Sequence, residues 1–398
     1  MGALQLTEGI YFVGMQNPNL RVFDIIVQTE FGTSYNSYLV KGDGKTALID
    51  TVHADFAGDY IALLSEEIGL EKIDYLILNH TEPDHSGAVR ALLGINPDIV
   101  VVASAGGVKN LSNIMNMPFK SHIVKDGETL DLGGRTLRFI SAPLLHWPDT
   151  MFTYIQEDAV LFTCDFLGCH YCEPLILDTR VLYPELYARA FDAYFDVIFT
   201  PFREAVLSGL EKIEDLELRM VCPSHGPVLV SGVETARWKY YDRAIAVREK
   251  RAVKKALILY VSAYGYTCRM AEELRDQLEG DHDVEMLDAS EHGLGEIAGK
   301  INNCDGLLLG TPTINRDALK PIWDVTTVID AISNKGKPAG VFGSYGWSGE
   351  GVGMIVERLR GLKLGVVGDG VRAVFNPDDG ELAAVRDYAL QFAAALHE

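Results

Sequence analysis

Six consecutive residues constrain this chain more than any others: His80-Thr81-Glu82-Pro83-Asp84-His85. They place two imidazoles and two carboxylates directly after residues 74–78, Asp-Tyr-Leu-Ile-Leu, which read as a buried strand. Packing gives no reason for such a cluster, and burying it unpaired would be costly. The fold must therefore bring these side chains to a strand end where a compensating charge can sit, and a metal ion suits them chemically.

Three more segments share that layout, an apolar strand followed by a potential ligand. Residues 137–140 lead to Leu145-His146-Trp147-Pro148-Asp149, residues 160–163 to Cys164-Asp165-Phe166, and residues 220–222 to Pro223-Ser224-His225. Strand ends in one sheet share an edge, so all of these segments are expected to converge. The candidate ligands are His80, Glu82, Asp84, His85, His146, Asp165 and His225. Seven exceed the needs of one tetrahedral zinc and suit two metals bridged by a carboxylate. Imidazole and carboxylate without thiolate favour iron, manganese or zinc, and open positions on iron would bind a small diatomic molecule. A lone histidine such as His146 has the competing reading of a satisfied core residue. His170 is a candidate catalytic residue that orients a ligand or substrate, or else an ordinary loop histidine. Cys169 and Cys172 form a C-x-x-C without a second pair, so no cysteine-held metal is expected there.

The character of the sequence changes across residues 237–255, the most basic stretch of an acidic chain. A domain boundary is expected near residue 250, giving domains 1–250 and 251–398. Before it, short apolar runs mix with sparser helical patterns, the clearest at residues 56–68, and suggest a layered α/β domain. After it, strands at 256–261, 306–309 and 338–342 alternate with helices at 267–278, 317–332 and 350–362. That alternation predicts a doubly wound parallel sheet.

Three loops follow those later strands. Ser262-Ala263-Tyr264-Gly265-Tyr266-Thr267 opens a helix, where hydroxyls and backbone N–H groups form a phosphate cradle. It lacks G-x-G-x-x-G and the Walker lysine, which argues against a dinucleotide or a nucleoside triphosphate, and it resembles the flavodoxin phosphate loop [ST]-x-x-G-x-T. The second loop carries Thr311, Pro312, Thr313, Ile314 and Asn315; the third carries Ser344, Tyr345, Gly346, Trp347, Ser348 and Gly349. Ligands of a flavodoxin-like sheet sit at these strand ends. By that resemblance the three loops would hold FMN, with Trp347 as an aromatic wall for its ring.

The hexapeptide is similar to the metallo-β-lactamase signature H-x-[HE]-x-D-H. Hydrolases of that fold usually carry histidine where this chain has Glu82. With His146, Asp165 and His225 downstream, nearly the whole chain resembles the flavodiiron proteins. The resemblance implies an N-terminal metallo-β-lactamase-like αββα sandwich and a C-terminal flavodoxin-like doubly wound sheet. It implies that His80, Glu82 and His146 ligate one iron, that Asp84, His85 and His225 ligate the other, and that Asp165 bridges them. It further implies reduction of O2 to water, of NO to N2O, or of both, in a head-to-tail homodimer or dimer of dimers. The alternatives are a metal-dependent hydrolase with a flavodoxin-like passenger domain, or a flavin-binding electron carrier with a structural metal.

A formal charge of -21 disfavours nucleic acid as a partner. No secretory signal or membrane-spanning run is evident, so a cytoplasmic protein with reduced thiols is expected. With no rubredoxin-like pair of C-x-x-C motifs, the electron donor is expected to be a separate small carrier such as rubredoxin. Residues 237–255 read first as a solvated helix face and second as a dock for such an acidic carrier.

Overall fold

The computed structural model describes residues 2–23, 27–245 and 253–397. The chain separates into two compact units, residues 1–248 and 249–398. The stretch around residue 250, with Arg248, Glu249, Lys250 and Arg251 of the basic segment, lies outside the described residues.

In the first unit, strands alternate so that each sheet buries both faces. The seven-stranded sheet runs in the order Leu4–Thr7, Ile10–Phe12, Tyr38–Lys41, Thr46–Ile49, Tyr75–Ile77, Val100–Ala103, Lys120–Ile123. The five-stranded sheet is Thr129–Asp131, Thr136–Ser141, Met151–Ile155, Val160–Cys164, Met220–Pro223. The two-residue period sends Tyr38, Val40, Ile49, Ile77, Phe139 and Phe162 into the layer between the sheets. Their neighbours Leu39, Leu48, Leu76 and Val101 face outward, under the helices Ala57–Glu67, Val89–Ile95 and Ala105–Met115. On the far side, Ile140, Phe152 and Leu161 pack under Pro184–Tyr194, Arg203–Lys212 and Val233–Ile245. The result is an αββα sandwich. Its helices were the less legible part, because their apolar faces are interrupted by glycine and by polar residues.

In the second unit a parallel sheet runs Asp283–Asp288, Lys255–Tyr260, Gly306–Gly310, Pro338–Tyr345, with Gly365–Val366 and Val371–Val374 both pairing beyond Pro338–Tyr345. In chain order this is 2-1-3-4-5, the flavodoxin-like arrangement. Separate apolar clusters cover its two faces. One expected helix is shorter than its pattern: residues 317–332 give Lys320–Thr327 only. Asp317–Ala318 pairs instead with Thr313–Ile314. The turn between them holds Asn315 and Arg316 at φ 54° and 63°, the conformation a two-residue hairpin demands. Pro321, in the first helical turn, then fits the helix start at Lys320.

Candidate metal centre and flavin cleft

The hexapeptide folds as its spacing requires. Asn79, after the strand Tyr75–Ile77, donates its N–H to Asp50 Oδ1 at 2.8 Å, and His80 follows fully buried. Glu82 caps a one-turn helix, Pro83–Ser86, with Pro83 at the position where a missing N–H is harmless. Asp84 and His85 ride on that turn. The other segments leave the five-stranded sheet. Thr136–Ser141 runs antiparallel to Met151–Ile155, which runs antiparallel to Val160–Cys164, which is parallel to Met220–Pro223. Three C-terminal ends therefore lie at one edge and present His146, Asp165 and His225. The four segments come from two sheets and not, as expected, from one, because Tyr75–Ile77 pairs with Thr46–Ile49 and Val100–Ala103 in the seven-stranded sheet. Face-to-face packing of the sheets brings the two edges together.

All seven candidates meet there, in two groups that share Asp165. Glu82 Oε2 is 3.1 Å from His80 Nε2 and 3.1 Å from His146 Nε2, while Asp165 Oδ2 is 3.9 and 3.6 Å from the same nitrogens. Asp84 Oδ2 is 3.2 Å from His85 Nε2 and 3.0 Å from His225 Nε2, with Asp165 Oδ1 at 3.2 and 3.4 Å from them. Each oxygen of Asp165 thus faces a different group. Donor atoms that each lie about 2.1 Å from one ion, at angles of about 90–110°, are about 3.0–3.4 Å apart, close to the separations here. Both oxygens of Asp84 are buried without a hydrogen-bond partner. Three carboxylates, Glu82, Asp84 and Asp165, put a formal -3 into a closed site, and such charge calls for cations.

The electrostatics agree. Burial would raise Asp165, yet His85, His146 and His225 hold it well below the carboxylate range. Burial also opposes ionisation of Glu82, and His146 and His80 overcome it. Burial would lower His85, but Asp84 and Asp165 push it up to about 9. These carboxylates are thus kept ionised and ready to bind metal.

Outer hydrogen bonds aim the rings. Asp149 lies 3.2 Å from His80 Nδ1 and accepts from Thr81 N–H at 2.9 Å and from its hydroxyl at 2.6 Å. His225 Nδ1 donates to the Ser34 carbonyl at 2.6 Å. Tyr194 donates to Asp165 Oδ1 at 3.1 Å. Each leaves a donor atom facing the centre. Sequence reasoning missed all three. Asp149 was within reach, three residues after His146, whereas Ser34 and Tyr194 carry no local signal. Cys164 also reaches the centre, beside His85 and Asp165.

His170 is not among the donors. Thr33 Oγ1 lies 2.9 Å from its Nδ1, and its ring lies 4.9 Å from those of His225 and Tyr194. Burial, and His225 after it, hold it well below the usual imidazole range and therefore neutral. Burial raises Cys169 far above the usual thiol range and Cys172 to about 11, which leaves both thiols protonated.

In the second unit, Gly265 begins the helix Tyr266–Leu278 at φ 84°, a conformation favouring glycine. Ser262 Oγ accepts from Cys268 N–H at 3.2 Å, and Thr267 Oγ1 lies 2.9 Å from Ser344 Oγ, tying two of the loops together. Ahead of Cys268, the amides of Tyr266 and Thr267 open the helix without an intrahelical partner and are the ones an anion could meet. Beside them is a cleft of about 270 Å³, lined by Tyr264, Thr313, Ile314, Asn315, Gly346, Trp347, Ser348 and, unforeseen from the sequence, Arg316 and Phe375. Tyr264 is 81% exposed and Trp347 96%, so packing among the described residues covers little of either ring. Thr311 and Pro312 are buried behind the cleft, where Thr311 Oγ1 accepts from Leu319 N–H.

Comparison with known proteins agrees with this architecture. Residues 33–226 match the ODP family beta lactamase model and residues 258–387 the flavodoxin model. The chain is 43% identical to the flavo-diiron protein FprA2 of Clostridium acetobutylicum, covering 100% of both chains. It is 32% identical to the anaerobic nitric oxide reductase flavorubredoxin of Aeromonas hydrophila, covering 99% of this chain and 80% of that one. The structure of rubredoxin oxygen:oxidoreductase from Desulfovibrio gigas superposes with a TM-score of 0.73 at 29% identity, over 99% of this chain and 98% of that one. A full-length match at this identity, on this pair of domains, shows that the chain belongs to the flavodiiron, or type A flavoprotein, family.

Proposed function

We propose that the protein is a flavodiiron oxidoreductase that reduces O2 to water, NO to N2O, or both. One observation carries the reading: Asp165 turns an oxygen toward each of two three-donor groups. In this reading His80, Glu82 and His146 hold one iron, Asp84, His85 and His225 the other, and Asp165 spans them. Ser262, Gly265 and Thr267 hold the FMN phosphate, and Trp347 and Tyr264 flank its ring. When bound, two irons and FMN together supply four electrons, enough to take O2 to water, while two suffice to take two NO to N2O and water.

The chain's own residues do the positioning. Asp149 and Ser34 fix the His80 and His225 rings through Nδ1 and leave Nε2 for the metal. Tyr194 fixes one oxygen of Asp165. The closed packing around His80, Asp165 and His225 limits bulk water. Glu82, where hydrolases of the fold usually have histidine, supplies a hard oxygen donor and favours iron over the hydrolase alternative.

The relatives named for nitric oxide and for oxygen support both substrates. The name of the Desulfovibrio gigas protein supports rubredoxin, or a carrier like it, as donor. A head-to-tail homodimer or dimer of dimers, in which one copy's flavin serves another's irons, is the assembly we propose. A cytoplasmic location accords with the described helices, none of which is long and apolar enough to cross a membrane. Metal and flavin content of protein purified without added metal, followed by anaerobic turnover with reduced rubredoxin, tests the proposal. About two irons and one FMN per chain, with O2 or NO consumed, is the expected result. About two zincs and no turnover would return the hydrolase reading.

A further inference from the structure

A cavity of about 220 Å³ opens beside the metal centre and belongs to no part of the donor set. Its walls are mainly apolar, including Val27, Phe31, Ala190 and Ala193. At its mouth Arg189 pairs with Glu30 at 2.8 Å and lies over the Phe31 ring, and both charged side chains are more than half exposed. Its inner end is formed by His170 and Tyr194. Those two residues touch the donors directly: the His170 ring is 4.9 Å from the His225 ring, and Tyr194 donates to Asp165.

Two polar atoms there are buried without a partner, His170 Nε2 and Thr29 Oγ1, and both residues line the cavity. His170 is only 6% exposed and Thr29 1%. Native proteins rarely leave such atoms unsatisfied unless something else meets them. The helix Pro184–Tyr194 continues into a π-helical turn, Phe195–Phe199, and such turns recur at functional sites. That turn keeps Phe195 and Phe199 in the core while Val197, another lining residue, stays exposed at the cavity.

We propose that this cavity is the entry route and holding site for a small, uncharged diatomic substrate, with His170 Nε2 as its polar contact at the inner end. The apolar walls suit a weakly hydrated gas, since dry apolar cavities of this size take up species such as xenon. His170 is then a substrate-positioning residue and not a metal ligand. The inference rests on the diatomic-reductase reading for what the cavity serves.

Xenon pressurisation of crystals gives a test that needs no turnover. The expected result is a xenon atom between Ala190, Ala193 and His170, in iron-loaded and iron-free protein alike. Ala193 is exposed at the rim, so Ala193→Trp can block the mouth without disturbing the core. This variant should lose the xenon site and slow the bimolecular reaction of fully reduced protein with O2 or NO by about tenfold. Iron content, FMN content and the rate of flavin reduction should not change, and Ala193→Ser should behave as wild type. No xenon in the cavity, or wild-type reaction rates in Ala193→Trp, would overturn the proposal. Wild-type protein without iron would sink the functional reading instead, and the xenon result would still decide whether a gas site exists.

Discussion

Four stretches of the first unit deliver seven side chains to a centre where His80 is 0% and Asp165 1% exposed, whereas the cleft of the second unit offers Trp347 at 96% and Tyr264 at 81%. The first site is made of side-chain donors held by a second ring of side chains. The second is made of loop backbone, hydroxyls and unpacked rings. A site of the first kind must place particular residue types at particular places, and most of them are buried polar groups that the fold has to tolerate. A site of the second kind asks mostly for turn geometry, which many residues satisfy. The two should therefore fail differently when single residues are changed.

The largest effect should come from Asp165, the residue both donor groups share. Asp165→Ala should leave far less than one iron per chain and lower turnover by about a thousandfold or more, while FMN stays at one per chain. Iron analysis beside the flavin absorbance checks this, and a variant that keeps both irons would contradict the bridging role. Glu82→His is a subtler break. It restores the histidine usual in hydrolases of the fold and should retain two metals while shifting the bound metal from iron toward zinc. Elemental analysis should then show zinc rising as oxygen or nitric oxide turnover falls by about a hundredfold or more.

The outer ring should give intermediate losses. Asp149→Asn keeps the shape but removes the charge beside His80 and sets an amide against the Thr81 N–H. Metal affinity at the His80 group should fall by about 10- to 100-fold, read by competition with a chelator. Unchanged affinity would mean that packing alone aims the ring.

This contrast also explains what was legible in the sequence. The hexapeptide could be read because two histidines and two carboxylates in six residues have no packing rationale. The later donors could be read because each follows an apolar strand. Ser34 could not, since it contributes a backbone carbonyl, and any residue has one. Tyr194 could not, since a tyrosine on an amphipathic helix looks like core until the fold sets its hydroxyl 3.1 Å from Asp165. In the second unit the strand–helix alternation exposed the doubly wound parallel sheet but not its strand order, since Asp283–Asp288, Gly365–Val366 and Val371–Val374 carry too few apolar residues to read as strands. The helix expected at 317–332 failed because a hairpin with two left-handed residues, Asn315 and Arg316, took its first turn. Phe375 went unseen because it lies beyond the strand Val371–Val374, at a strand end that had not been identified.

The smallest effect should come from Trp347, and it tests the flavin half of the comparison most directly. A ring that is 96% exposed contributes almost nothing to the fold, so Trp347→Ala should leave the melting temperature of the flavin-free protein unchanged. Stacking against a bound aromatic ring is worth about 0.5–1.5 kcal/mol beyond area burial, so FMN affinity should fall by about three- to tenfold. Iron content should stay at wild type, because the seven donors and the outer hydrogen bonds of Asp149, Ser34 and Tyr194 all lie in the other unit. Titration of the flavin-free variant with FMN, followed by fluorescence quenching, reads the change. Unaltered affinity would show that the phosphate cradle at Gly265 and Thr267 holds the cofactor without an aromatic wall, and would leave the exposure of Trp347 to be explained by a protein partner instead.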